Sequence, residues 1–224
     1  RRQAAVCIKA GRVKINGAAA TDPAVAVGPD DRVELDGVRV EFDPRRYVML
    51  YKPRGYVCSN ADRHAARLAV ELIPAGERLF SAGRLDQDSE GLLIFSNDGD
   101  YVLELTHPRY EILKEYEVAT DRPLAAAELQ RLRQGICDDG EWLRPRRIDE
   151  LAPRRYRVVL NEGKKREIRR LIANTGARVV RLIRYRTGSL DLGDLKPGEW
   201  RDLTPEEIRA SRTNPPESGN RDKE

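Results

Sequence analysis

Three observations predict an α+β architecture in two domains, a small one over residues 1–42 and a larger one over 47–209. Helix and strand signals alternate irregularly rather than in a regular β-α-β rhythm. Turn residues separate several neighbouring strand segments. A short charged stretch, Glu41-Phe42-Asp43-Pro44-Arg45-Arg46, divides the chain, with the linker at 43–46. Tight turns between neighbouring strands join antiparallel partners, so the larger domain is expected to hold a mixed, largely antiparallel sheet flanked by helices. A hydrophobic share of 40% in 224 residues is enough to build its core.

In the small domain, residues 2–10 read as a helix, with Ala5, Ile8 and Ala10 among its apolar positions and Gly11 as its stop. Val13 and Ile15 then alternate with Lys14, and Asn16-Gly17 is a tight-turn dipeptide. Further turns at Asp22-Pro23, Gly28-Pro29-Asp30-Asp31 and Asp36-Gly37 set off Val33-Glu34-Leu35 and Val38-Arg39-Val40, which predicts a β-meander. In the larger domain, strands are expected at 47–51, 79–82, 92–96, 114–119, 156–160 and 179–185. Asn97-Asp98 caps a helix near 100–106. An amphipathic helix over 124–133 turns Leu129 and Leu132 inward, and a helix over 165–174 stops at Thr175-Gly176. From Ala210 the chain is Ser, Asn, Pro and charge, so 210–224 is expected to be a disordered tail.

Several functions are set aside by composition. Cys7, Cys58 and Cys137 lie too far apart for a zinc spacing, and their odd number rules out a complete disulfide framework, which fits a reducing cytosol. There is no apolar run long enough to span a bilayer and no signal peptide, so a cytoplasmic protein without a membrane partner is expected. With only His64 and His107, a His-rich metal site is excluded and a Ser-His-Asp arrangement is poorly supported; no metal site is expected. Neither phosphate-binding glycine motif is present. A charged share of 35% with a net charge of +4 says little until the basic residues are seen to cluster. The opening residues, Arg1-Arg2-Gln3-Ala4-Ala5, read as a helix already running, so the native N-terminus is expected to lie upstream.

What remains is Gly83-Arg84-Leu85-Asp86-Gln87-Asp88-Ser89-Glu90-Gly91-Leu92-Leu93. A strand ends at Gly83, a polar loop follows, and Gly91 opens the next strand. Such a loop is either an ordinary acidic turn or a rigid platform that presents a carboxylate. Together with Phe95-Ser96-Asn97-Asp98-Gly99-Asp100, this stretch closely resembles the catalytic signature of the pseudouridine synthases, and more specifically the RsuA-type ribosomal RNA enzymes. Four more stretches agree in order: Tyr51-Lys52-Pro53-x-Gly55, Lys114-Glu115-Tyr116, the Glu162-Gly163-Lys164-Lys165-Arg166 run with the Glu167-Ile168-Arg169-Arg170 that follows, and Gly198-Glu199-Trp200-Arg201-x-Leu203-Thr204. Residues 1–42 resemble an S4 RNA-binding domain lacking its first helix, with Gly11-Arg12-Val13-x-x-Asn16-Gly17 in place.

The resemblance implies an enzyme that isomerises a uridine of ribosomal RNA without a cofactor. It makes Asp86 the nucleophile and Tyr116 the ring that stacks beneath the flipped uracil. Arg84 would enter the space the base vacates, unless it only pairs with Asp88 or Glu90. Lys164 would pair with Asp86 and keep it ionised, although Lys165 and Arg166 adjoin it; Leu85 and Leu182 would line the substrate pocket. Tyr116 and Leu182 are equally readable as plain sheet core. Thr106-His107-Pro108 and the 162–170 stretch look more like large-subunit relatives, which favours 23S RNA as partner of a monomeric enzyme; a small-subunit enzyme is the alternative.

Basic residues do cluster. Lys164, Lys165, Arg166, Arg169, Arg170, Arg178, Arg181, Arg184 and Arg186 fall in one short stretch whose only nearby acid is Glu167, and phosphate binding is the reading preferred over a solvated face. Within it, Ile168, Leu171 and Ile172 would face the core and leave Arg166, Arg169 and Arg170 outward. Arg1, Arg2, Lys9, Arg12 and Lys14 would form a second RNA contact in the small domain. A non-catalytic ribosome-assembly protein of the same fold is the main rival, which an intact Asp86 and Tyr116 argue against. A glycoside hydrolase would need an aromatic-rich cleft, and aromatics are 6% of the chain.

Overall fold

The structure, a computed structural model, describes residues 2–41, 43–59, 67–74 and 76–216. Arg1 and the 217–224 part of the expected tail lie outside the described residues. The chain divides into two compact units, Arg1–Pro44 and Arg45–Glu224.

In the first unit, α1 (Arg2–Lys9) precedes four short strands, β1 (Val13–Ile15), β2 (Ala18–Ala20), β3 (Val33–Leu35) and β4 (Val38–Arg39), in the antiparallel order β2-β1-β3-β4. Both hairpins turn as their sequences dictate. Asn16-Gly17 and Asp36-Gly37 each place two successive residues at positive φ, the conformation that matches the twist of the strands they join. The expected linker at 43–46 is shorter than that. Arg45 already bonds to Asp98 at 3.0 Å and Arg46 to Asp202 at 2.9 Å, so both belong to the second unit.

The second unit is built on β5 (Tyr47–Lys52), β6 (Phe80–Ser81), β7 (Glu90–Ser96), β8 (Lys114–Thr120), the hairpin β9 (Ile136–Asp138) and β10 (Glu141–Leu143), then β11 (Arg147–Ala152), β12 (Arg155–Leu160), β13 (Val179–Thr187), β14 (Leu190–Asp191) and β15 (Trp200–Asp202). The main sheet runs β11-β12-β8-β13-β7-β5-β15, with β6 on β7 and β14 on β13. Its ladders are antiparallel except where β13 and β7 run parallel, with Ile183 opposite Glu90 and Arg184 opposite Gly91. All seven residues of β7 are buried, which explains why its run of apolar residues does not alternate. On β5 the alternation divides the core between two faces. Val48 and Leu50 pack with Leu93, Phe95 and Val118, whereas Met49 packs with Leu92, Ile94 and Tyr101.

Helices α2 (Gly99–Thr106), α3 (Ala126–Gln134), α4 (Glu167–Ala173) and α5 (Pro205–Ser211) flank this sheet, with single 3-10 turns at Ala69–Leu72 and Pro108–Tyr110. Asp98 caps α2 by accepting the N–H groups of Asp100 and Tyr101. Helix α4 starts later than its sequence predicts, because Arg166 takes a left-handed conformation at φ 53° immediately before it. The segment from 210 is not a disordered tail where it is described. Thr204 and Glu207 cap α5 reciprocally, Ser211 is fully buried with its hydroxyl 2.8 Å from the Tyr101 hydroxyl, and Asn214 bonds to the backbone of Leu113 and Glu111. No helix among the described residues is long and apolar enough to cross a membrane.

Candidate active site

The loop between β6 and β7 is fixed from three sides. Lys52, the last residue of β5, is fully buried and donates to the carbonyls of Pro53 and Asp86 at 3.1 Å and of Ser89 at 2.7 Å. Gly55 and Gln87 exchange hydrogen bonds, Gly55 N–H to Gln87 O at 2.7 Å and Gln87 Nε2 to Gly55 O at 3.2 Å. From α4, Arg169 donates to the Asp88 carbonyl at 3.0 Å and the Ser89 hydroxyl at 3.3 Å. The backbone carrying Asp86 is thereby held while its side chain remains one-third exposed. Gly91 closes the platform. A Cβ there would lie 2.2 Å from the Arg184 carbonyl, so only glycine allows β13 to lie alongside β7.

Asp86 opens into a cavity of about 500 Å³ that Arg84, Leu85, Tyr116 and Leu182 also line. Tyr116 is 8% exposed and sits opposite Arg184 in the β8–β13 ladder, and Leu182 is two pairs further along, opposite Val118. Arg84 is exposed at the same mouth, and among the described residues no carboxylate pairs with it. The simple ion-pair reading of Arg84 fails because both acids are taken. Asp88 accepts a two-pronged bond from Arg166, and Glu90 accepts Arg181 Nε at 2.7 Å.

Lys164 does not pair with Asp86. Its ammonium bonds to Glu162 at 2.7 Å and to the Trp142 carbonyl at 2.7 Å, while Arg166 NH1 lies 3.8 Å from Asp86 Oδ2. The left-handed turn at Arg166 aims its guanidinium back over the loop, where it grips Asp88 at 3.1 Å and faces Asp86 with the same group. Burial alone would raise the Asp88 carboxyl; the Arg166 hydrogen bonds and the charges of Arg169 and Arg166 carry it below the ordinary value. Burial depresses the pKa of Lys52, opposed by Cys58, Asp88, Asp86 and Glu90.

The other basic residues divide. Lys165, Arg2, Lys9, Arg12 and Lys14 are exposed, with Arg12 ion-paired to Asp36. Arg169 is not outward, since it reaches under the Asp86 loop. Arg170 meets Asp138 and Glu141 of the β9–β10 hairpin, acids some thirty residues upstream that its sequence neighbourhood does not reveal. Arg184 is 4% exposed and donates to the Leu92 carbonyl at 2.7 Å, so it cannot form part of a surface phosphate site. Two lysines escape the sequence reading of single residues. Lys52 and Lys114 both stand in the matching stretches, but nothing in those stretches marks one as the pin of the loop and the other as cavity wall. Among the described residues, no group of three His, Cys, Asp or Glu side chains is placed to hold a metal ion.

Comparison with known proteins matches residues 46–174 to the family model for RNA pseudouridylate synthase and residues 1–33 to the S4 domain. An uncharacterised RNA pseudouridine synthase of Aquifex aeolicus is 36% identical over 93% of this chain and 89% of its own length. The ribosomal small subunit pseudouridine synthase A of Yersinia pestis is 36% identical, covering 90% of this chain and 88% of that protein. The ribosomal large subunit pseudouridine synthase B of Bacillus subtilis is 35% identical, covering 95% and 90%. A solved pseudouridylate synthase structure superposes with a TM-score of 0.72 at 30% identity, covering 94% of this chain and 93% of that one.

Proposed function

This chain belongs to the RNA pseudouridine synthase family, and from that premise we propose that it isomerises a uridine of ribosomal RNA, with Asp86 as the nucleophile. One observation carries the assignment. A carboxylate stands on a backbone pinned by Lys52 and Arg169, at the mouth of a cavity walled by Tyr116, with a cation 3.8 Å away. A guanidinium at that distance gives the carboxylate a counter-charge, and a carboxylate can form and release a covalent bond to the sugar without a cofactor. Its oxygen bonds to the ribose anomeric carbon as the bond to uracil breaks. The base then turns over Tyr116, and C5 displaces Asp86 from the sugar.

The uridine must first leave its helix, which costs a few kcal/mol of stacking. Arg84, exposed beside Asp86 with no carboxylate of its own among the described residues, fills the vacated space. Lys165 on the catalytic unit, and Arg2, Lys9, Arg12 and Lys14 on the small unit, hold phosphates of the same RNA. The large-subunit RNA is the favoured substrate, on the strength of Thr106-His107-Pro108 and the 162–170 stretch, and a cytoplasmic monomer is the acting form.

The test is tritium release from ribosomal RNA transcripts labelled at uracil C5. Asp86→Asn should release none while binding the transcript as tightly as wild type. Release within tenfold of wild type would remove Asp86 from the reaction. Separate transcripts of the two ribosomal subunit RNAs decide the substrate, since the large-subunit reading fails if only the small-subunit RNA is converted.

A further inference from the structure

The cavity that Asp86 lines has two further lining residues that the reaction as described above does not use. Lys114 and Thr187 face each other across the β8–β13 ladder, and both line the cavity. Among the described residues, no carboxylate or carbonyl meets the Lys114 ammonium, and the charged group that acts on it is Arg184, another cation. Thr187 is 5% exposed, and its hydroxyl oxygen is buried without a hydrogen-bond partner. A buried, unpaired hydroxyl beside a half-buried cation costs stability unless something else completes the pair.

We infer that Lys114 and Thr187 form the subsite for the carbonyl edge of uracil and hold the charge on the base while it is detached. The inference rests on the reading of Asp86 as the group that takes the sugar. Depth decides between base and phosphate. Arg184 and Thr187 are almost wholly buried, whereas Asp86 stands one-third exposed at the mouth. A ribose held at Asp86 leaves its phosphates outside and projects its base inward. Lys114 and Tyr116 are two residues apart on one strand, hence on one face and roughly 6.6 Å apart along the backbone, so a ring lying on Tyr116 brings its edge to Lys114.

The chemistry of the step needs a donor at that position. When the bond from N1 to the sugar breaks, its electron pair stays on uracil and spreads over N1, O2 and O4, while an Asp86 oxygen bonds to the sugar carbon. When C5 attacks that carbon, the electron pair of the Asp86 bond returns to the carboxylate. The C5 proton is then lost and N1 gains one, so the sum is an isomerisation. Half a turn of the ring about the line through N3 and C6 exchanges N1 with C5 and also O2 with O4. A donor fixed in the wall therefore meets a carbonyl oxygen both before and after the turn. Lysine has three donors and no acceptor, so it favours the uracil carbonyl over the cytosine amino group. Burial, with the Arg184 charge adding to it, lowers Lys114 to about 8, so the ammonium is present at neutral pH and is lost in mild alkali.

The experiment uses the full chain and C5-tritiated transcripts of both ribosomal RNAs, with single-turnover rate and RNA affinity measured separately for each variant. Lys114→Met should lose roughly 100- to 1,000-fold in rate at saturating RNA with affinity within twofold, as when one donor to a developing anion is removed. Thr187→Val should lose roughly tenfold in rate, the effect of one hydrogen bond. Lys114→Arg should recover most of the rate and abolish the alkaline fall that wild type shows as the lysine deprotonates. Thermal unfolding checks each variant, and if Lys114→Met does not fold, Thr187→Val and the pH profile of Lys114→Arg decide alone. A Lys114→Met rate within threefold of wild type overturns the inference, as does a loss confined to affinity with a flatter salt dependence, which would mean a phosphate contact. If Asp86→Asn remains active, the underlying reading fails instead; if Asp86→Asn is dead and Lys114→Met is normal, the subsite alone is wrong.

Discussion

Replacing Lys52 by methionine keeps the buried stem of the side chain and removes the ammonium that gathers three carbonyls. Hydrogen bonds to a charged group contribute roughly 1.5–3 kcal/mol each, so three give roughly 5–9 kcal/mol. Against this stands the several-kcal/mol cost of holding an ammonium with no exposed surface, the same burial that depresses its pKa. The Asp86 carbonyl also accepts the Ser89 N–H at 3.0 Å, so one of the three acceptors is not orphaned by the substitution. The expected net loss is then about 2 kcal/mol, read as a shift of the urea midpoint at unchanged slope. Catalysis should suffer more than stability. The Asp86 carboxylate hangs from a pinned carbonyl, and a misplacement of about 1 Å costs roughly 100-fold in rate. Single-turnover tritium release should therefore fall by about that factor while RNA affinity holds. Lys52→Arg should not rescue it, because a planar fork cannot converge on three carbonyls as an ammonium does. A folded Lys52→Met variant with a rate within threefold of wild type would refute the idea that this lysine sets the position of the nucleophile.

Arg84→Ala should slow turnover on folded RNA far more than on a short unpaired substrate that wild type also converts; equal fractional losses would make Arg84 a residue that merely orders the loop. Neutralising Lys14 and Lys165 together, both exposed, should flatten the log–log salt dependence of RNA binding by roughly one to two units. Arg170→Gln should leave that slope unchanged, since Arg170 is spent on Asp138 and Glu141; a flatter slope would return it to the RNA. Glu128 caps α3 at the Ala125 N–H and accepts two bonds from Arg122; these hydrogen bonds, Arg122 first, lower it to about 2. A carboxyl lowered on folding stabilises above its ordinary value and loses that contribution as pH falls. The Tm gap between wild type and Glu128→Gln should therefore shrink from pH 5 towards pH 2, and a constant gap would contradict the linkage.

How far the chain could be read depended on whether the partners of a residue were local. The Asn16-Gly17 and Asp36-Gly37 hairpins and the Asp98 cap were legible because each is decided within four residues. The Thr204-x-x-Glu207 capping box carried the same local signal, and α5 was nevertheless missed beneath the polar composition that follows it. On α4 the inward set Ile168, Leu171 and Ile172 is as the helical period requires, yet the opposite side is not solvent. It meets the Asp88 loop and the β9–β10 hairpin, about eighty and thirty residues away in sequence, which a count of nearby acids cannot see. Arg184 had a readable signal in hindsight of geometry, since alternation on β13 puts it on the side of Leu182, towards the cavity. The choice of Arg166 over Lys164 turns on one left-handed residue, and no residue type at that position announces it.

The parallel seam between β7 and β13 also governs when the molecule becomes complete during its synthesis. Asp86 and Thr187 are about a hundred residues apart, and translation at roughly 5–20 residues per second separates their emergence by roughly 5–20 s. Over that interval β7, seven residues that the finished protein buries entirely, has β5 along one edge and β6 only at Phe95 and Ser96, so its Glu90–Gly91 end waits for β13. An open apolar edge is a template for pairing with another chain, so this is the period in which the nascent protein needs shielding most. A chain cut before Val179 lacks the strand that covers this end of β7, and the expected outcome is aggregation rather than a weaker catalyst.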